Sequence, residues 1–249
     1  ALGAEASGSA SIGLLSGMAA GALVGLLFGG ISTTLRGSQL ITGVGINLFA
    51  LGFVALMLTI LGAPGFHSVS REIQVPLIPL GVGNLSPLVP VTIVLAFAVW
   101  WLLRRTQLGI WIRAAGDNPG AADVAGLPVN ALRLGTAVVA GMLAGLAGAY
   151  LSVDWFGAVT KEITAGRGFI ALAIVVFSGL NPLLALLGGF IFGLFDGLAT
   201  WVATYPGIKK IIPWQFVAMA PYIVTLAVVA GAIGRVRFPK GLGVPYLRE

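Results

Sequence analysis

Charge is what this sequence has least of. Charged residues make up 9% of its 249 positions, against about 25% in a typical soluble domain. Apolar residues make up 58%, and the mean hydropathy is +1.02. A chain with so few polar groups cannot cover a folded surface with them, so we expect lipid to be its main solvent. Cysteine is absent, which excludes disulfides and thiolate metal sites.

The sequence also lacks the common catalytic motifs. No segment matches GxxxxGK(S/T), the loop that cradles ATP phosphates, and no HExxH occurs. The one histidine, His67, is predicted to be a solvated loop residue, which leaves a catalytic triad or a proton relay without a basis. The net charge of +6 comes from basic residues at the ends of apolar segments, where membrane topology requires them, so nucleic acid is not indicated. We therefore expect no enzyme, no cofactor and no metal site.

Long uncharged runs predict an all-α, polytopic membrane bundle that forms a single transmembrane domain over residues 1–249. About 20 apolar residues suffice for one crossing. On that basis we predict about seven spans, at residues 10–32, 40–62, 87–103, 132–152, 168–180, 184–202 and 214–233. The span at 168–180 is short, which predicts a tilted, broken or partly re-entrant segment that protein rather than lipid surrounds.

The distribution of lysine and arginine predicts the orientation of these spans. Nine basic residues fall on one side and five on the other. The first set is Arg36, Arg104, Arg105, Arg113, Arg133, Arg235, Arg237, Lys240 and Arg248; the second is Arg71, Lys161, Arg167, Lys209 and Lys210. Because cytoplasmic loops carry the excess of basic residues, the first side is predicted to be cytoplasmic, together with the C-terminus.

Glycines recur at every fourth residue in three of the predicted spans. The rows are Gly13, Gly17, Gly21, Gly25 and Gly29 in the first span, Gly141 and Gly145 in the fourth, and Gly189, Gly193 and Gly197 in the sixth. Such a row lies along one helix face and lets another backbone approach closely. The rows predict tight packing within the bundle. The alternative is that smooth glycine faces let the helices slide past one another during a transport cycle. The sequence does not decide between the two interpretations.

A polar island at residues 113–130, RAAGDNPGAADVAGLPVN, separates two apolar runs. Asn118 is a good N-cap, and Pro119 then stands at the first helical position, where its missing N–H costs nothing. Gly126 suits a left-handed helix end, and Pro128 prevents continuation. The pattern predicts about two turns of helix lying across the membrane face. An ordinary ordered loop is the equally weighted alternative.

The island and the run that follows it, RAAGDNPGAADVAGLPVNALRLGTAVVAGMLAGLAGAYLSV, resemble the permease subunits of the ribose and branched-chain amino-acid group of ABC importers. The resemblance is greatest to the nucleoside branch, which works with a binding protein of the basic-membrane-lipoprotein type. Residues 33–52, 163–199 and 241–247 agree in order and spacing. The resemblance implies a cytoplasmic coupling helix, within residues 114–130, that docks in a groove of an ATPase subunit. Its residues would be Asp117, Asn118, Pro119, Ala122, Asp123, Gly126 and Leu127.

The same resemblance implies the partners and the location. They are ABC ATPase subunits, a second permease subunit, an extracytoplasmic substrate-binding protein and the bilayer of a bacterial cytoplasmic membrane. The family usually has further membrane-spanning sequence upstream, so the resemblance implies that this chain begins inside that region. The implied substrate is a nucleoside-like solute. A simple sugar or a branched-chain amino acid stays open, as do an ion-coupled secondary transporter and a structural membrane subunit.

Four residues are candidates for the substrate pathway: Asn47, Trp155, Phe195 and Asp196. A carboxylate within an apolar span is costly in lipid, so Asp196 should face the bundle interior or a cavity. It could accept hydrogen bonds from a sugar hydroxyl, or it could form an interhelical tie. Asn47 could line the pathway or bridge two helices. Phe195 precedes Asp196 in the same span.

Trp155 belongs to an aromatic group with Phe156, Trp201, Tyr205 and Trp214 at the outer ends of spans. The group predicts an interfacial belt, and a stacking surface for a flat base is the alternative. The outer loop at residues 154–168 carries Asp154, Lys161, Glu162 and Arg167, which would suit a binding protein that docks and leaves in each cycle. A solvated loop explains these charges equally well.

Overall fold

The computed structural model describes residues 1–63, 65–70, 73–79, 84–204, 215–217, 219, 222–223, 239–244 and 246. Helix dominates this part of the chain. The helices are α1 (Leu2–Ser7), α2 (Ala10–Gly29), α3 (Gln39–Ile60), α4 (Leu88–Arg105), α5 (Gln107–Asp117), α6 (Pro119–Val124), α7 (Val129–Tyr150), α8 (Arg167–Phe177) and α9 (Pro182–Thr204). The short strands are β1 (Phe66–Ser68), β2 (Ile78–Pro79), β3 (Asn84–Leu85) and β4 (Ala158–Thr160).

Five helical segments within the described residues are long and apolar enough to cross a membrane. They are Ala10–Thr34, Gln39–Ile60, Leu88–Arg105, Val129–Trp155 and Pro182–Thr204. The first and fourth extend α2 and α7 by one π-helical turn each, at Gly30–Thr34 and Leu151–Trp155. Each of these segments coincides with one predicted span, so five of the predicted spans are confirmed as helices of sufficient length and apolarity.

The other two predicted spans have different outcomes. The span at 168–180 corresponds to α8, whose 11 residues extend only about 16 Å, which is too short for a crossing, as the sequence indicated. The span at 214–233 lies almost wholly outside the described residues. The count of about seven spans is therefore not confirmed.

The long helices expose large apolar side chains. Leu40 is 79% exposed and Phe49 is 68% exposed on α3, and Leu23 on α2 is 66% exposed. Helices whose backbone groups bond internally and whose side chains are apolar are stable in hydrocarbon. The surface is therefore that of a membrane protein, as its composition predicted.

The chain contains two compact units. The first comprises Ala1–Val91, Leu103–Ala165 and Pro239–Glu249, and its centre is the pair formed by α2 and α7. Gly17 of α2 lies against Ala149 of α7, whereas Gly29 lies against Leu134, so the two helices are antiparallel. A Cβ placed on Gly21 would collide with the backbone of α7. The predicted close packing of these glycine rows is confirmed.

A two-stranded ribbon covers one end of this unit. β1 follows α3 and β4 follows α7, and the strands pair antiparallel with His67 opposite Val159. The C-terminal ends of α3 and α7, which lead into the ribbon, therefore lie on the same side of the first unit. His67 Nε2 lies 2.9 Å from the Glu5 carboxylate, and its side chain is only 25% exposed. The prediction of a solvated loop histidine is wrong, because α1 brings Glu5 against it.

The second unit comprises Thr92–Leu102 and Gly166–Phe238 and contains α8 and α9. Gly188 of α9 packs against the side chain of Ile174 of α8. A cavity of about 300 Å³ in this unit is lined by Gly166, Phe169, Ile170, Ala173 and Tyr222. The third glycine row, Gly189, Gly193 and Gly197, has no atom of the described residues within 4 Å of where its Cβ atoms would be. Its spacing is that of the α2 row, but the described part of the chain packs nothing against it.

Candidate functional site

The polar island forms two short helices between the spans α4 and α7. Thr106 ends α4 and caps α5, since its Oγ1 accepts the Gly109 N–H at 3.2 Å. Arg113 Nε donates to the Gly109 carbonyl oxygen at 3.3 Å, which holds the guanidinium along α5. A single residue, Thr106, separates the end of α4 from the start of α5.

The caps of α6 agree with the prediction. Asn118 Oδ1 accepts the Ala121 N–H at 3.1 Å, and Pro119 stands at the first helical position. Gly126 adopts a φ of +84°, in the left-handed region that glycine tolerates. Its N–H donates to the Asp123 carbonyl oxygen at 2.8 Å and closes the helix. The predicted local structure is confirmed, with a helix of 6 residues.

A small apolar core lies beneath the island. Ala115 of α5, Ala122 of α6 and Val129 of α7 are 2%, 4% and 2% exposed and pack together. Leu127 and Tyr246 pack at the edge of this cluster. Ala122 and Leu127, two of the predicted coupling residues, therefore face their own chain and hold α6 in place.

The opposite face of α6 is open. Val124 is 92% exposed, and Ala121, Ala125 and Gly126 are exposed around it. Sequence reasoning missed Val124, although helical geometry carries the signal. Two residues along a helix correspond to a rotation of about 200°, so a buried Ala122 turns Val124 outward. Asp117 and Asn118 are also exposed, at the start of the same segment.

A tail segment, residues 239–244 and 246, packs against the island. The Gly241 N–H donates to the Gly116 carbonyl oxygen at 2.9 Å. Arg133, in the second turn of α7, donates from Nη1 to the Val244 carbonyl oxygen at 2.9 Å and from Nη2 to that of Gly241 at 3.2 Å. The tail segment is thereby bonded to both the end of α5 and the start of α7.

The tail segment also contacts α6 directly. The Tyr246 hydroxyl donates to Asp123 Oδ2 at 3.0 Å, while its ring packs on the small core. The resemblance had marked residues 241–247, but no contact with the island was predicted. Tyr246 and Asp123 are 123 positions apart, and a local sequence pattern cannot predict a contact between residues so far apart in the chain. The tail segment and the island therefore lie on the same side of the first unit.

The four pathway candidates fall in different units. Asn47 of α3 and Trp155 are exposed residues of the first unit, and Trp155 is in tilted contact with Tyr150 at a centroid distance of 6.2 Å. Phe195 and Asp196 are partly buried residues of α9 in the second unit. The aromatic neighbours Phe156 and Trp201 are exposed as well, whereas Tyr205 and Trp214 lie outside the described residues.

Asp196 has a partner that the sequence did not indicate. Arg167 Nη2, at the start of α8, lies 3.0 Å from Asp196 Oδ2, so the carboxylate ties α8 to α9. The Arg167 side chain remains 34% exposed and that of Asp196 48% exposed. A second charge of the loop at residues 154–168 is also engaged, because Asp154 Oδ2 accepts the Ser86 hydroxyl. Within the described ranges, no three His, Cys, Asp or Glu side chains are grouped closely enough to hold a metal ion.

The described part of the chain therefore has five helices that are long and apolar enough to cross a membrane, and a short capped helix, α6, lies between two of them. The chain belongs to the family described as "Branched-chain amino acid transport system / permease component", whose model matches residues 2–233. This confirms the resemblance, and it makes the chain a transport component rather than an enzyme. No solved structure matches the chain significantly.

Three relatives illustrate what this chain is similar to. The nucleoside ABC transporter permease NupC of Lactococcus lactis is 33% identical over 244 residues, which cover 92% of this chain and 76% of that protein. The guanosine ABC transporter permease NupQ of Bacillus subtilis is 33% identical, with coverages of 95% and 77%. The putative glucose ABC transporter permease TsgC13 of Haloferax volcanii is 29% identical over 267 residues, with coverages of 96% and 80%.

Proposed function

We propose that this chain is the membrane-spanning permease of an ATP-driven importer that translocates nucleosides. A binding protein delivers the nucleoside at the outer side, and ATP is hydrolysed on separate subunits. The printed names of NupC and NupQ support this substrate class, since both refer to nucleosides or to guanosine. The absence of a phosphate-binding loop in the sequence supports separate ATPases.

The observation that carries the proposal is α6, a capped helix with an exposed apolar end. Val124 is 92% exposed, while Ala122 on the other face is buried in the chain's own core. A short capped helix with one apolar face suits a groove on a soluble partner. We assign that partner as the ATPase. Asp117, Asn118 and Gly126 then lie at the rim of the contact, and Pro119, Ala122, Asp123 and Leu127 hold the helix in position.

Movement of α6 would reach the membrane along two routes. α5 joins α6 to the span α4 through Thr106, and Val129 begins the span α7 inside the buried cluster that supports α6. Closure of the ATPases on binding ATP would displace α6. The displacement would shift α4 and α7 and would change access to the pathway from one side of the membrane to the other.

The proposed membrane is the cytoplasmic membrane of a bacterium, with the island on the cytoplasmic side. The excess of arginine near the island supports this orientation. The C-terminus is proposed to be cytoplasmic, because the tail segment bonds to the island. The β1–β4 ribbon then faces outward, where a binding protein would dock. A second permease subunit would complete the pathway.

We propose that Asp196 and Phe195 contribute to the substrate pathway and, as a separate proposal, that Asn47 and Trp155 do. A charged pair that stays partly exposed within apolar helices needs a polar surrounding, and a water-filled pathway provides one. A carboxylate that already accepts from Arg167 has further oxygen lone pairs for the hydroxyl groups of a ribose. Trp155 offers an exposed ring on which a base could stack.

Reconstitution tests the proposed function. The permease would be expressed with its chromosomal neighbours, and the co-purifying proteins would be incorporated into liposomes. ATP hydrolysis would then be measured with a panel of nucleosides, simple sugars and branched-chain amino acids. We expect an ATPase to co-purify and nucleosides to stimulate hydrolysis several-fold. Stimulation by a sugar or an amino acid alone would overturn the substrate class. Uptake driven by an ion gradient without any ATPase would overturn the importer.

A further inference from the structure

We infer that the tail segment is a strap that positions the coupling helix, with Tyr246 and Arg133 as positioning residues. The inference rests on the proposed function, because it concerns how force from the ATPase reaches the spans. It assigns a positioning role to a segment that lies far from the island in sequence. The juxtaposition that carries it is Tyr246 on Asp123, one residue before the exposed Val124.

α6 needs support from outside itself. It has 6 residues, far fewer than the roughly 12 to 15 that an isolated helix needs in water. Its backbone continues into the rest of the chain at Asn118 and Leu127, and Ala122 between these two ends packs in the small apolar core. A hydrogen bond at Asp123 adds a polar attachment that opposes rotation of the helix about the line that joins those ends.

The strap supplies that polar attachment and connects it to a span. The Tyr246 hydroxyl donates to Asp123 Oδ2 at 3.0 Å, and its ring contacts the small core. Arg133 of α7 holds the carbonyl oxygens of Gly241 and Val244 with two N–H groups. A displacement of α6 therefore passes through Tyr246 and the strap to Arg133, and from there to α7, in addition to the direct route through the backbone.

The hydrogen bonds of the strap to α6 and α7 are also of a strong kind, as transmission of force requires. The acceptor on α6 is a carboxylate and the donor on α7 is a guanidinium, and hydrogen bonds to charged groups are stronger than neutral ones. The Gly241 N–H fixes the register of the strap by donating to the Gly116 carbonyl oxygen at 2.9 Å. A Cβ on Gly241 would collide with that same oxygen and with the Arg133 side chain, so the strap lies flush against the island.

The test compares Tyr246→Phe with Tyr150→Phe in liposomes that contain the complete importer. Both changes remove one hydroxyl, but Tyr150 lies at the far end of α7. For Tyr246→Phe we expect the ATPase to co-purify as in the unmodified protein, and the number of nucleosides transported per ATP hydrolysed to fall about fivefold. Tyr150→Phe should leave that ratio unchanged. An unchanged ratio in Tyr246→Phe overturns the strap.

A second variant keeps the test decisive if Tyr246→Phe folds poorly. The chain has no cysteine, so Asp123→Cys with Tyr246→Cys introduces a unique thiol pair. The pair should transport few nucleosides per ATP until a short bifunctional thiol reagent joins the two residues, and joining them should restore the ratio. A cross-linked protein that stays uncoupled contradicts the inference. If the unmodified protein binds no ATPase at all, it is the importer proposal that fails instead.

Discussion

The backbones of Gly21 and Gly141 touch each other. A Cβ on either glycine would overlap the carbonyl oxygen of the other, and Gly25 and Gly145 continue the contact by one turn on each side. Such an approach lets Cα–H groups lie against carbonyl oxygens across the interface. The seam between α2 and α7 is therefore closely packed, with backbone lying against backbone.

We expect Gly21→Ala to destabilise the isolated permease in detergent. The added methyl group has no space, and overpacking costs about 1–3 kcal/mol. The measurement is the midpoint of thermal unfolding. Gly193→Ala is the matched control, because its Cβ would meet no described atom and alanine favours helix by up to about 1 kcal/mol over glycine. Equal midpoints for the two variants would show that the seam does not carry the packing.

The glycine rows show which helix contacts can be predicted from the sequence and which cannot. Spacing predicted that Gly17, Gly21 and Gly25 share a helix face, and the structure confirms close packing there. Gly193 and Gly197 have the same spacing but pack against nothing described. A row of small residues allows a close approach, but which rows are used depends on the neighbouring helix, and that neighbour is distant in sequence.

Val124→Ser should weaken binding of the ATPase to the permease by roughly tenfold or more. Burying a valine side chain in a partner's groove contributes about 1.5–3 kcal/mol, and serine forfeits most of it. Affinity can be measured with the purified ATPase on an immobilised permease in nanodiscs. Val89→Ser, at the start of α4, makes the same change about one span away from the island. Equal affinities for both variants would remove α6 as the binding element.

The island, like the glycine rows, has some features that the local sequence predicts and others that depend on residues far away in the chain. Its caps at Asn118 and Gly126 follow from neighbouring residues, so the sequence predicted them and the structure confirms them. Which face of α6 is buried depends on Val129 and Tyr246, and the second of these lies more than a hundred positions away. Ala122 was consequently expected to meet a partner, although it is buried, and the exposed Val124 was missed.

Asn118→Ala should loosen α6. Loss of an N-cap side chain costs about 1 kcal/mol, so the amides that begin at Ala121 should exchange with deuterium about fivefold faster. Hydrogen exchange of the peptide that covers α6 gives the readout. Asn118→Asp keeps an oxygen that accepts the Ala121 N–H, so its exchange should match the unmodified protein. Unchanged exchange in the alanine variant would mean that the cap does not hold the helix.

Exchanging the two charges at Arg167 and Asp196 separates a structural tie from a substrate contact. Asp196→Asn alone should lower both the unfolding midpoint and nucleoside uptake, because it weakens the bond between α8 and α9 and removes a charge. Arg167→Asp combined with Asp196→Arg should recover the midpoint through the reversed pair. Uptake should stay low, since the carboxylate no longer stands on α9. Full recovery of uptake would make Asp196 a tie only.

The central claim is that α6 transmits work from an ATPase to the membrane helices. Its most direct test replaces residues 117–127 with a glycine–serine linker of equal length and measures nucleoside uptake by the reconstituted importer. Uptake and nucleoside-stimulated ATP hydrolysis should both be lost, while the permease still inserts and elutes as a folded species. Uptake that continues at the original rate through the linker would contradict the account.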